Sequence, residues 1–364
     1  MENPAAVPNS SIPEPKSRWK RFMKWLVLSA LAVIVLLAAA GFIYNEIAQQ
    51  LEARRFPQQG KSIRLGGEFG NLTLNLNCSG QGSPIVVLDS GWGIPAIGWS
   101  RVQPDVARFT RVCSYDRAGY GWSAPGPKPR TSSEIARELH ALLAAAGEKS
   151  PYILVGHSFG GYNIRMFNAT FTNDVAGMVL VDASSEYADA EVSKRSPEFA
   201  RFLKKQEASI SRQMTLAPVR IDLGIERLFG RRRDLPYLSS DENEEMRHLQ
   251  LQPDFYRQAW AEMQSFSASA DEVRAAGNLG DKPLIVLTGA EVVPPPPGIP
   301  KQEFDDIQNA WVNDLQVRET HLSTKGRQII LSDTGHLIPL ERPDAVISAI
   351  HEVWTAAKAP TTKP

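Results

Sequence analysis

One stretch combines residue types that can do covalent chemistry: Pro151-Tyr152-Ile153-Leu154-Val155-Gly156-His157-Ser158-Phe159-Gly160-Gly161. An apolar run ends in G-x-S-x-G, and a helix-compatible segment from Tyr162 to Phe167 follows. Strand, tight turn and helix in that order are the context of a nucleophile elbow, which lifts a serine hydroxyl above a sheet edge. Gly156 and Gly160 leave room for the crowded turn, and Gly161 lets the helix begin close to the strand. The helix N-terminus behind Ser158 offers free N–H groups and the positive end of a dipole. The chemistry this predicts is nucleophilic attack by Ser158 on an acyl carbon. It needs a base to take the serine proton and a carboxylate to orient that base, in the chain order Ser, acid, His.

Six histidines compete for the role of base. His157 adjoins the nucleophile, where the turn directs its side chain elsewhere. His140, His321 and His351 fall in helical segments, and His248 in an insertion without strands. His336 follows the apolar segment from Arg327 to Leu331 by a Ser-Asp-Thr-Gly turn and precedes a helix that begins near Arg342. That is the last strand-to-helix loop, which reaches the sheet edge that carries Ser158. A near-neutral pKa and two distinct ring nitrogens suit His336 to relay a proton.

The elements that must position these groups alternate. Strands are expected near 62–65, 72–78, 83–89, 110–115, 151–157, 176–182, 283–288 and 327–331, with helices at 132–146, after the elbow and near the C-terminus. Continuous apolar runs mark strands buried on both faces, and their alternation with helices predicts an α/β fold with a mostly parallel central sheet and flanking helices. Asp116-Arg117, beside the glycines of Gly119 and Gly121, reads as a loop brace.

The chain resembles the α/β-hydrolase superfamily over about residues 62–357. The resemblance rests on D-S-G-W-G at Asp89–Gly93, Y-D-R-A-G-Y-G-W-S at Tyr115–Ser123, G-H-S-F-G-G at Gly156–Gly161, L-V-D-A at Leu180–Ala183 and T-G-H at Thr334–His336. It implies an oxyanion hole made by the backbone N–H groups of Trp92 and Phe159, with Ser90 standing where a histidine is usual. It implies an acid at one of two places: Glu291, after the strand at 283–288, or Asp182, at the end of the preceding strand. Asp182 is favoured, because it ends its strand cleanly while Glu291 enters a stiff run of four prolines. The resemblance also makes residues 183–281 a helical cap over the serine, with helices at 197–211, 240–251 and 255–275, set into a core of 62–182 and 282–357. In the cap, Arg231-Arg232-Arg233 reads as a solvated turn, or as a grip on anionic lipid or substrate. The resemblance places the strand of Cys78 antiparallel beside that of Cys113, so that the two cysteines either form a disulfide or remain small buried thiols.

Residues 1–24 are rich in Pro, Ser, Lys and Arg and are expected to be a disordered tail. Residues 25–44 lack any charge and are long enough for a transmembrane helix, flanked by Trp19, Trp25 and Tyr44. Residues 45–61 follow as a polar helical linker, and 358–364 as a flexible tail. Positive charge before the run puts the N-terminus in the cytoplasm and the remaining chain on the exported side; a cleaved signal peptide is the competing reading. Net charge is zero, so nothing points to nucleic acid. The sequence has no H-E-x-x-H and no phosphate-binding loop, so neither metal nor organic cofactor is expected. The expectation is a membrane-anchored serine hydrolase of carboxylic esters acting on a hydrophobic acyl substrate. A peptidase, a C–C bond hydrolase or a non-catalytic binding protein on the same fold are the alternatives.

Overall fold

In the computed structural model, residues 16–231 and 234–358 are described. Eight strands form one sheet: β1 (Lys61–Arg64), β2 (Thr73–Ser79), β3 (Ile85–Asp89), β4 (Val112–Tyr115), β5 (Tyr152–His157), β6 (Val175–Val181), β7 (Leu284–Gly289) and β8 (Gly326–Leu331). Their order is β1-β2-β4-β3-β5-β6-β7-β8. β2 runs antiparallel to β1 and β4, and every pair from β4 onward is parallel. The central strands β3 and β5 are buried along their whole length, which is why they read as unbroken apolar runs.

Successive side chains point to opposite faces, and the core divides accordingly. Val87, Tyr152, Leu154, Met178 and Leu180 face one layer with α2 (Ser132–Ala145) and α3 (Phe159–Thr170). Val86, Leu88, Ile153, Val155, Val179 and Val181 face the other, against Val346, Ala349, Ile350 and Val353 of the C-terminal helix (Pro343–Lys358). All the parallel strands end on one edge, and Ser158, Asp182 and His336 follow β5, β6 and β8 there.

Helices fill the interval between β6 and β7: α4 (Ala188–Arg195), α5 (Pro197–Asp222), α6 (Ile225–Phe229), α7 (Ser240–Gln250), α8 (Pro253–Gln264) and α9 (Phe266–Ala275). α5 runs eleven residues past the expected end at 211, carrying Pro218 within it. The segment expected as one helix at 255–275 is two, broken at Ser265, which ends α8 and starts α9. A second helical insertion, α10 (Lys301–Ala310) and α11 (Gln316–Thr320), separates β7 from β8, and the C-terminal helix is α12. His321 caps α11 instead of lying within a helix.

The N-terminal helix, α1 (Lys16–Arg55), is unbroken through the apolar run and the polar segment after it. The expectation of a disordered tail is corrected for residues 16–24, which are helical: a long apolar helix propagates at little cost once formed, and Lys, Arg, Met and Trp extend it. The part of that tail before residue 16, the C-terminal tail from residue 359 and Arg232 and Arg233 lie outside the described residues. α1 is long and apolar enough to cross a membrane, and no residue of its apolar window is buried. Past the apolar run it is docked: Asn45 is buried, and Arg227 and His248 both reach Glu52.

Candidate active site

The turn after β5 holds Ser158 at φ 52°, a left-handed backbone that a non-glycine residue adopts only when its surroundings impose it. Its N–H donates to the Val181 carbonyl at 3.1 Å, while its own carbonyl accepts from Gly161 and Ser184 at 2.9 and 3.0 Å. The glycines around it answer to contact. A Cβ at Gly156 would lie 2.6 Å from the Gly160 carbonyl oxygen, and one at Gly160 would lie 2.4 Å from that of Asp89. The hydroxyl therefore stands at the end of a turn that has one way to pack.

His336 lies within reach of it. The Ser158 Oγ to His336 Nε2 distance is 2.9 Å, and His336 Nδ1 lies 2.6 Å from Asp182 Oδ2. Asp182 follows β6 at φ 41°, with its N–H bonded to the Leu287 carbonyl at 2.8 Å. Its second oxygen, Oδ1, accepts from the Gly289 N–H at 3.1 Å and from the Trp311 indole N–H at 3.0 Å. Both oxygens are occupied, so the carboxylate has one orientation to offer the imidazole. Glu291, the other candidate, is exposed, and its backbone N–H donates to Thr334. Its carboxylate lies beside Gly335 and makes no hydrogen bond to His336. Of the two acids the structure thus brings Asp182 to the histidine.

His157 is not idle. Its Nε2–H donates to the His336 carbonyl at 2.8 Å, and its ring lies 4.9 Å from that of His336. Burial, then the neighbouring His336, lowers its pKa to about 3, which keeps the ring neutral and its tautomer fixed. On the far side of the same loop, Glu341 accepts from the Gly335 N–H at 2.7 Å and from the Thr334 hydroxyl.

The loop after β3 closes the other side. A Cβ at Gly91 would lie 3.2 Å from that of Ser158 and 2.9 Å from His157 Nδ1, so only glycine fits there. Trp92 follows, its indole N–H donating to the Ala259 carbonyl of α8 at 2.7 Å. Phe159 is the first residue of α3, where N–H groups have no intrahelical partner. Arg117 braces this loop: it donates to the Ser90 and Gly91 carbonyls at 2.6 and 2.9 Å, and pairs with Asp89 and with Glu262 of α8, both at 2.8 Å. Asp116 caps Ala96 and bonds Asn75. Glu262, Glu341 and Trp311 carry no sequence motif; only the fold reveals them.

An open cavity of about 830 Å³ adjoins His336. Val192 and Phe199 of the first insertion line it from one side, and Phe304, Ile307, Trp311 and Leu315 of the second from the other. Trp311 lies in a widened helical turn, Trp311–Leu315, between α10 and α11, a local irregularity frequent at functional sites. The arrangement can take a proton from a serine hydroxyl, hold the resulting imidazolium against a carboxylate and accept an apolar group alongside.

Comparison with known proteins agrees with this architecture. A probable transporter of Hormonema carpetanum is 36% identical over 122 residues, which is 32% of this chain and 18% of that protein. An uncharacterized protein of Bacillus subtilis is 25% identical over 279 residues, 76% of this chain and 86% of its own length. The chain thus spans under a fifth of one curated relative and most of another. A thermophilic esterase from Thermogutta terrifontis superposes with a TM-score of 0.51 at 21% identity, over 82% of this chain and 99% of the esterase. Residues 85–349 match the model of the alpha/beta hydrolase family, and they take in Ser158, Asp182, His336 and both helical insertions: this chain belongs to the alpha/beta hydrolase family.

Proposed function

We propose that the protein is a membrane-anchored serine hydrolase that cleaves carboxylic esters through an acyl-enzyme. The observation that carries this reading is the unbroken row from Ser158 Oγ through His336 to Asp182, at 2.9 and 2.6 Å. Ser158 Oγ attacks the acyl carbon while His336 Nε2 takes its proton. Asp182 stabilises the imidazolium through Nδ1–H without itself being protonated. The oxyanion that forms accepts hydrogen bonds from the Phe159 and Trp92 N–H groups, donors fixed before the reaction starts. His336 then protonates the departing alkoxide, and a water activated by the same nitrogen releases the acid. The cavity beside His336 receives the acyl chain, and its apolar lining favours a hydrophobic one.

The anchor belongs to the same reading. Residues 25–44 within α1 cross the bilayer, with Lys20, Arg21 and Lys24 on the cytoplasmic side. The sheet domain is then exported. Cys78 and Cys113, direct partners across β2 and β4, are joined as a disulfide, which suits an oxidising compartment.

A fluorophosphonate probe tests the chemistry. The full-length protein should be labelled, and Ser158→Ala should abolish the labelling while leaving the fold intact. A folded wild-type protein that resists the probe overturns the reading. p-Nitrophenyl esters of graded chain length then measure how much of the cavity the acyl group uses.

A further inference from the structure

The cap touches α1 at one unusually close point. A Cβ at Gly41 would lie 2.2 Å from the Leu223 carbonyl oxygen. Gly224, at φ 67°, faces back: its own Cβ would lie 2.7 Å from the Gly41 carbonyl oxygen and 3.2 Å from the Tyr44 ring. Two glycines bring the α5–α6 turn flush against the helix. Gly41 lies inside the apolar run, one helical turn before its end at Tyr44. Whatever rests on Gly41 therefore sits at the depth where the run leaves the hydrocarbon.

Exposed apolar side chains surround that point, beside the Arg220–Glu226 ion pair at 2.8 Å. Leu216 and Val219, three residues apart on the last turns of α5, are both exposed. Ile225, Leu228 and Phe229 on α6 are exposed as well, Phe229 to 77%. Arg212 and Arg231 flank the patch, exposed to solvent. An apolar face rimmed by cations, lying along a membrane boundary, has the composition of an interfacial helix.

Resting on the reading of residues 25–44 as a membrane span, we propose that the α5–α6 turn of the cap inserts into the lipid–water boundary of the membrane that α1 crosses. The bilayer is the occupant because the patch is continuous with the span itself through Gly41. The domain is then held by two elements, and its orientation is set by the cap. α5 begins at the cavity, which Phe199 lines, and ends at this turn, so one rigid helix connects the acyl site to the membrane surface.

The test uses the full-length protein in vesicles of equal parts phosphatidylcholine and phosphatidylglycerol. Single cysteines carry a spin label at Val219→Cys, Phe229→Cys, Leu36→Cys within the span and Ala356→Cys on α12. Cys78 and Cys113 are already paired and take no label. At Val219 or Phe229 the label should collide with oxygen more than with a water-soluble nickel chelate, as at Leu36 and unlike Ala356. A water-like signature at both cap positions, with Leu36 in lipid, overturns the docking and leaves the span standing. Water-like behaviour at Leu36 too removes the span and the docking together. Dipolar broadening between labels at Phe229 assigns the patch to a second copy of the chain and also overturns the proposal. Fluorophosphonate labelling of the same samples reports the chemistry independently of all three outcomes.

Discussion

The sheet edge and the helices laid over it serve the site in different ways. On the edge, backbone contact does the positioning. Ser158 and Asp182 sit at positive φ, and the turns around them tolerate no side chain at Gly91, Gly156 or Gly160. In the insertions, single side chains reach inward instead. Glu262 of α8 grips Arg117 behind the loop of Gly91, Glu319 of α11 grips Arg165 on α3, and Trp311 donates to Asp182. The edge thus holds Ser158, Asp182 and His336 in a geometry that cannot relax. The insertions supply adjustment through ion pairs and hydrogen bonds, each removable by one mutation. The contrast predicts steep catalytic losses on the edge, and losses of stability or fine alignment in the insertions.

The largest effect should separate two carboxylates. Asp182→Asn removes the edge acid and should lower kcat by about 10⁴-fold, the loss typical when a triad histidine is left in the wrong tautomer. Glu291→Gln, at the start of the second insertion, should change kcat by less than an order of magnitude. Steady-state kinetics on a soluble ester, with circular dichroism to show that both variants fold, checks the ranking. A mild Asp182→Asn beside a crippled Glu291→Gln would erase the distinction between edge and insertion.

The next effect belongs to stability. Glu262 is fully buried and holds two of the Arg117 donors and the Tyr120 hydroxyl. Without Glu262, Arg117 keeps its pair with Asp89, but two buried guanidinium donors and the Tyr120 hydroxyl lose their acceptor, at a cost of about 3–5 kcal/mol. Glu262→Ala should therefore lower the thermal midpoint on the order of 10 °C. It should lower kcat as well, because Arg117 also holds the Ser90 and Gly91 carbonyls. Glu352→Ala, which breaks the exposed Arg327–Glu352 pair, is the control and should cost less than about 1 kcal/mol. Equal shifts in the two variants would mean that the Arg117 cluster is no more than surface electrostatics.

How much of this was legible beforehand follows the same division. Ser158 and His336 stood out because the edge is written in glycines and apolar runs, which a sequence displays directly. For the acid the sequence favours Asp182 over Glu291 without excluding either. Both follow strands, and the deciding contacts come from His336 and Trp311, 154 and 129 residues away. Asp116-Arg117 read as a brace, but Arg117 braces the loop before Trp92, with a partner far along the chain in α8. The break at Ser265 has no glycine or proline to announce it, and α5 runs through Pro218 because tertiary packing overrides propensity. Nothing in the sequence marks the second insertion as half of the cavity wall.

A pH series should expose two opposed groups, one from each region. On the edge, His157 titrates at about 3, far below an ordinary histidine at 6.5. The folded state resists that proton, so stability is full above pH 6.5 and is lost as pH falls toward 3. In the insertion, burial raises the Glu319 carboxyl to about 7 from 4.5 against the pull of Arg165, with the neighbouring Glu186 adding to the rise. The folded state favours that proton, so its contribution is full below pH 4.5 and is lost as pH rises through 7. Between pH 4.5 and 6.5 the two slopes oppose, each up to about 1.4 kcal/mol per pH unit. Glu319→Gln should unmask the histidine slope: the variant should lose more stability than the wild type between pH 6.5 and 5. Thermal midpoints of both proteins across that range isolate Glu319 by difference, and parallel profiles would remove it from the account.

The smallest effect tests whether an insertion side chain tunes the edge at all. Trp311→Phe removes the indole N–H from Asp182 Oδ1 and keeps a large aromatic ring in the cavity wall. Asp182 is not orphaned, because the Gly289 N–H still donates to the same oxygen and His336 to the other. The loss is therefore one hydrogen bond to a charged group with a neighbour in reserve, about 1 kcal/mol. If that bond aligns the carboxylate, kcat should fall about fivefold. A short acetate ester is the substrate of choice, because its acyl group occupies little of the cavity and KM should hold while kcat falls. A Trp311 that merely lines the cavity gives the reverse pattern: unchanged kcat on acetate and altered KM on long-chain esters. That outcome would leave Asp182 positioned by the sheet edge alone, with the second insertion reduced to a wall.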